Sequence, residues 1–151
     1  MSTWRIMTEF RTLTPDFAVA SSQLQVEDVA RAAAEGFKLI VCNRPDKEEP
    51  GQPSEAEIKA AAQEAGLDFR SLPYRGPTPP GIVAETALML DETSGPVLAY
   101  CRTGNRSIMA WAFAQALSGG QRPDDIIALA AKAGYDLEGA RGALETLAPK
   151  A

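Results

Sequence analysis

Short apolar runs alternate with stretches of helical periodicity along this chain, and that alternation points to an α/β layered architecture. Phe17 to Ala20 (FAVA), Phe37 to Cys42 (FKLIVC), Asp68 to Leu72 (DFRSL) and Val97 to Tyr100 (VLAY) read as strands. FKLIVC and VLAY are mostly apolar, as strands covered on both faces of a parallel sheet are. Between them, Val26 to Glu35 sets Val26, Val29, Ala30 and Ala33 on one helical face and stops at Gly36. Ser54 and Glu57 form a capping box that opens a helix running to Gly66. Ile82 to Glu92 and Ser107 to Leu117 read as helices, the second apolar enough to lie inside the domain, and Pro123 to Ala148 as two short helices broken near Gly134. The expected fold is α/β, with a mostly parallel central sheet flanked by helices.

A chain of 151 residues, 45% hydrophobic and 23% charged, fits a single domain over residues 1–151. The formal charge of −5 argues against nucleic acid as a partner, because backbone binding needs a basic face; any anion site must be local. MSTWRIMTEF lacks a basic segment followed by an apolar one, and no run approaches the roughly 20 apolar residues of a membrane span, so the chain reads as cytoplasmic, with no membrane partner. Cys42 and Cys101 are the two cysteines, and histidine is absent. Neither a metal nor another cofactor is called for, and Cys–His chemistry is unavailable.

Cys101 ends a core strand and is followed by Arg102, Thr103, Gly104 and Asn105 before a helix starting near Arg106 or Ser107. Successive N–H groups in such a loop, with the helix N-terminus behind them, make a concave anion cradle, and Gly104 permits the close approach. A thiol in that field is favoured as its thiolate. Arg106 offers a planar fork of donors to two oxygens of a tetrahedral anion, and Ser107 is placed to hydrogen-bond the sulfur. Most strand cysteines are inert small hydrophobes, and Cys42 fits that description. The whole pattern C-R-x-G-x-R-S makes Cys101 the candidate nucleophile, with Arg102, Thr103, Gly104 and Asn105 as substrate-binding residues.

Cys101 to Ser107 resembles the active-site loops of the cysteine-dependent tyrosine and dual-specificity phosphatases and of the rhodanese sulfurtransferases. Together with EGFKLIVCNRPDKEEPGQPS, AGLDFRSLPY, GPVLAYCRTGNRS and AGYDL, the chain resembles the phosphatase-like domain of beta-lactamase-hydrolase-like proteins, a family also associated with sulfur transfer. The resemblance runs from about Phe17 to Leu137 and implies a dual-specificity-phosphatase-like fold, with Cys101 as nucleophile, Arg106 as phosphate-binding arginine and Ser107 as the hydroxyl that follows it.

Three departures stand out. Tyr100 replaces the histidine usual before the cysteine, and the spacing to Arg106 is one residue shorter than in those phosphatases, which matches rhodaneses. The loop PYRGPTPPG, where a general acid is expected, has no carboxylate. Asp46 is the first choice for that role, ahead of Glu48 and Glu49 on the same loop, which should emerge at the sheet edge of Cys101. Asp68 and Asp91 are poorly placed. Arg44 and Arg75 are further candidate anion contacts.

Three functions therefore remain open: a phosphatase-like hydrolase of phosphomonoesters, phosphotyrosine among them; a sulfurtransferase carrying a Cys101 persulfide; and an anion-binding or redox-sensing module with little turnover. The partner in the enzymatic readings is a phosphate- or sulfur-containing small molecule or a phosphoprotein.

Overall fold

The computed structural model describes residues 8–150. The reading of the first residues as free of a leader therefore falls largely outside the described part of the chain. The elements are β1 (Phe10–Thr14), β2 (Phe17–Ala20), α1 (Val26–Ala34), β3 (Leu39–Cys42), α2 (Glu55–Glu64), β4 (Asp68–Ser71), α3 (Pro80–Glu92), β5 (Val97–Tyr100), α4 (Asn105–Ser118), α5 (Pro123–Lys132) and α6 (Arg141–Leu147), with a 3₁₀ turn at Glu138–Ala140.

The sheet order is β1-β2-β5-β3-β4; β1 runs antiparallel to β2, and the other neighbours are parallel. The expected mostly parallel sheet is thus present. Alternate residues of the strands feed two cores, as the twofold period of a strand requires. Phe17, Val19, Leu39, Val41, Val97 and Ala99 pack with Ile108, Trp111, Met89 and Ile126 on one face. Ala18, Ala20, Ile40, Cys42, Leu98 and Tyr100 pack with Val29, Ala32, Ile58 and Ala62 on the other. Trp111 stacks on Phe17 at 5.8 Å between ring centroids.

β5 lies between β2 and β3, and Tyr100 pairs with Cys42, so Cys101 and the loop after β3 leave the same edge of the sheet. Asp68 pairs with Leu39 at the opposite edge, away from Cys101, as its place at a strand start implies. Asn43 joins the two exits: its N–H donates to Tyr100 O at 2.8 Å and its Nδ2 to Leu72 O at 2.9 Å.

Several boundaries differ from the sequence reading. β1 is unannounced, because an edge strand with only Leu13 buried carries little apolar alternation. α3 begins at Pro80 instead of Ile82, since a proline at the first helical position already has a helical φ and lacks only an N–H the helix does not use. α1 buries Asp28, Val29 and Ala32, while Val26 and Ala30 are exposed. Asp28 turns inward to accept the Gln25 N–H at 2.8 Å, half of a capping box at the start of the helix. Among the described residues, no helix is long and apolar enough to cross a membrane.

Candidate active site

Helix α4 starts at Asn105, so only Arg102, Thr103 and Gly104 separate the cysteine from the helix, a tighter loop than the sequence suggested. Cys101 is buried at its base, and its Sγ accepts the Gly104 N–H at 3.1 Å. The N–H groups of residues 104–107 have no carbonyl within the helix to bond; the first full helical bond is Ile108 N–H to Gly104 O at 2.8 Å. They form the positive end of a buried helix beside the sulfur.

Gly104 has φ +91, and a Cβ there would lie 2.2 Å from Tyr135 Oη and 2.9 Å from Ala20 O. Both the backbone conformation and the space require glycine. Tyr135 reaches the loop from beyond α5 and donates its hydroxyl to Thr103 O at 2.9 Å. Gly104→Ala is expected to cost about 3 kcal/mol from strain and overpacking, a fall in Tm of roughly 6 to 12 °C for a chain of this size. An unchanged Tm in a calorimetric scan would show that the loop does not need this geometry.

Arg106 is held from two sides. Its Nη1 and Nη2 donate to Glu48 Oε2 and Oε1 at 3.0 and 2.8 Å, and Nη1 also reaches Tyr74 O at 3.2 Å. Tyr74 Oη donates to Arg106 O at 2.5 Å and accepts from Thr78 Oγ1 at 3.0 Å. The Glu48 carboxylate, and to a smaller extent the Cys101 sulfur, raise the Arg106 pKa. A hollow of about 330 Å³ opens beside Arg106, walled by Tyr74, Pro77, Met109 and Phe113.

The acids fall differently from the sequence expectation. Asp46, the first choice for a proton donor, is exposed and accepts the Glu55 N–H at 2.8 Å, capping α2. Glu48 occupies the ground beside Arg106, where Arg44 Nε and Arg75 Nε reach it at 2.9 and 3.1 Å. The chain turns through φ 63 at Lys47 just before it. Arg106 foremost, with Arg44 and Arg75, pulls the Glu48 carboxyl down to about 2 from its ordinary 4.5, against the opposing effect of burial. Glu48 is thus ionised at neutral pH and does not serve as a proton donor.

A carboxyl whose pKa is depressed on folding stabilises the fold above its unfolded value and loses that contribution as pH falls through its folded value. Glu48→Gln is accordingly expected to melt lower at pH 7 and to show a flatter decline in Tm than the parent from about pH 4.5 down to about pH 2. Parallel melting curves over that window would contradict the pairing.

The other predicted residues are distributed as follows. Arg102 is exposed and pairs with Glu49 at 2.7 Å; Thr103 and Asn105 are exposed at the loop rim. Ser107 Oγ is buried without a hydrogen-bond partner, so the expected bond to sulfur is not made here. Cys42 donates to Arg44 O at 3.2 Å and burial pushes its thiol up to about 11, in keeping with an inert core cysteine. Among the described residues, no group of three or more acidic or sulfur ligands is gathered for a metal. Tyr74 and Tyr135 were not singled out as functional from sequence; each acts on a segment 32 residues away, and no local pattern announces that.

Residues 9–118 match the family model for the phosphatase-like domain of beta-lactamase hydrolase-like proteins. The chain belongs to this family. Beta-lactamase hydrolase-like proteins of Agrobacterium fabrum and Xylella fastidiosa (strain Temecula1) are 36% and 31% identical over 122 residues, covering 78% of this chain. The chain spans only 27% of the length of these relatives. A candidate phosphatase from Neisseria meningitidis Z2491 superposes with a TM-score of 0.78 at 35% identity, covering 91% of this chain and 97% of that one. Tk-PTP, at 18% identity, gives a TM-score of 0.69 over 91% of this chain and 95% of its own, a likeness of fold that agrees with the mostly parallel sheet and its helices.

Proposed function

We propose that this phosphatase-like domain hydrolyses phosphomonoesters through Cys101. The observation supporting this most directly is the Gly104 N–H donated to Cys101 Sγ at 3.1 Å at the free end of α4, with Arg106 on the first turn of that same helix. In this reading the Cys101 sulfur attacks phosphorus as the phosphorus–oxygen bond breaks. The loop N–H groups and Arg106 hold the equatorial oxygens, and water then cleaves the sulfur–phosphorus bond. Arg102, Thr103, Gly104 and Asn105 shape the cradle, and the Ser107 hydroxyl is free to turn to the sulfur in the second step.

Glu48 is ionised, Asp46 is spent on capping α2 and Glu49 pairs with Arg44 and Arg102, so none of these three loop carboxyls stands ready to protonate the leaving oxygen. The reaction then favours leaving groups that depart as stable anions, aryl oxides above alkoxides. The apolar walls beside Arg106 suit an aryl group, which keeps phosphotyrosine among the substrates. The same lack of an acid, with the short spacing from Cys101 to Arg106, supports a second reading in which Cys101 carries a sulfane sulfur as a persulfide, since its transfer to a thiolate or cyanide needs no protonated leaving oxygen.

One preparation assayed with p-nitrophenyl phosphate and with thiosulfate plus cyanide separates the two. Phosphate release is expected, steeply dependent on leaving-group acidity; turnover of thiosulfate alone overturns the hydrolase reading. Binding of either anion without turnover would leave an anion-binding or redox-sensing role.

A further inference from the structure

The cleft beside Cys101 gathers more positive charge than a single phosphoryl group occupies. Arg44, Lys47, Arg75, Arg102 and Arg106 line one opening of about 410 Å³ with Glu48 and Glu49: five cations against two carboxylates, an excess of three. This concentration occurs in a chain whose formal charge is −5.

The two carboxylates mark two anion stations. Glu48 is held by Arg106, Arg44 and Arg75. Glu49 is held by Arg44 Nη2 at 3.0 Å and Arg102 Nε at 2.7 Å. Arg44 spans both; its side chain is 3% exposed, and Nη1 is fixed further by Gln23 Oε1 at 2.8 Å. The side chains of Arg75 and Arg102 are 65% and 64% exposed at the rim. Ion pairs that exposed contribute little, so an entering anion displaces them readily, while the buried Arg44 keeps the geometry.

We propose that the site selects a compact phosphate ester bearing a second anionic group, phosphate or carboxylate. The scissile phosphoryl takes Arg106 and the Cys101 loop, and the second anion takes the station now filled by Glu49, between Arg102 and the buried Arg44, with Arg75 completing the rim of the same opening. The inference rests on the hydrolase reading for its first station and on the arginine cleft for its second. A cleft of about 410 Å³ lies in the range of small-molecule sites, which favours a compact substrate over an extended polymer.

Phosphate release from phenyl phosphate is to be compared with release from 3-carboxyphenyl phosphate and from resorcinol bisphosphate, in the parent and in Arg75→Ala/Arg102→Ala. The parent is expected to prefer a substrate bearing the second anionic group by about tenfold in kcat/KM, and the double variant to bring that ratio close to one. The two doubly substituted esters reveal whether the second group is carboxylate or phosphate. Equal kcat/KM for all three in the parent, or a preference surviving in the variant, overturns the proposal.

If no ester is hydrolysed, the hydrolase reading fails by itself, and calorimetric titration of Cys101→Ser with pyrophosphate and with inorganic phosphate tests the cleft. Pyrophosphate binding about tenfold tighter, and losing that advantage when Arg75→Ala and Arg102→Ala are added, supports two stations. Equal affinities refute them.

Discussion

Cys101→Ser is expected to lower phosphate release from p-nitrophenyl phosphate by about 10⁴-fold or more, the scale on which loss of a nucleophile acts. The cause is chemical more than structural. A serine hydroxyl is close to the thiol in size and accepts the Gly104 N–H that now reaches Cys101 Sγ at 3.1 Å, so the loop should hold its shape. A hydroxyl is a much weaker nucleophile than a thiol unless a base takes its proton, and with no histidine in the chain there is no imidazole to do so. Acid quenching of the parent during turnover should trap a phosphorylated Cys101. Serine-variant turnover within tenfold of the parent, with folding unchanged by circular dichroism, would remove Cys101 from the chemistry of either enzymatic reading.

Arg106→Lys should reduce kcat/KM by on the order of 10³-fold, with most of the loss in kcat. The guanidinium makes a two-pronged contact with Glu48 and a third bond to Tyr74 O, a planar arrangement that an equatorial pair of phosphoryl oxygens can take over from the carboxylate. An ammonium keeps the charge but cannot match that fork, so it replaces the two-pronged contact to Glu48 with a single point charge beside Arg44 and Arg75. The comparison with Arg106→Ala is informative: lysine should restore part of the fold stability, because one charge still faces Glu48, and little of the rate. A lysine variant with parental kcat would show that charge alone is enough.

Much of the frame was legible in the chain. FKLIVC and VLAY read as buried parallel strands and are the neighbours β3 and β5, which is why the loop after Cys42 leaves the sheet beside Cys101. Asp68 belonged at the other edge and lies there. β1 was not visible, because an edge strand buries one face over a few residues and its pattern is diluted by Arg11 and Thr12. The inward face of α1 was legible in part: Val29 is buried and Ala33 packs against the core as read, while Val26 and Ala30 are exposed and Asp28 and Ala32 are buried instead.

Choosing between Asp46 and Glu48 was beyond sequence reasoning. Both sit on one proline-rich loop at the correct edge, and only Lys47 lies between them. Which carboxylate faces Arg106 depends on the turn at Lys47 and on the free N–H at the start of α2, which takes Asp46.

The sequence by itself determined the strand that ends in Cys101, the glycine three residues on and the arginine two beyond it, because strand period, helix start and loop length are local properties of consecutive residues. Only the tertiary structure decided what surrounds that loop: Tyr135 on Thr103, Tyr74 on Arg106, and Arg44 between Glu48 and Glu49. Those contacts join segments distant in the chain or turn side chains within one loop, and their geometry is set by packing on both faces of the sheet, which no short stretch encodes.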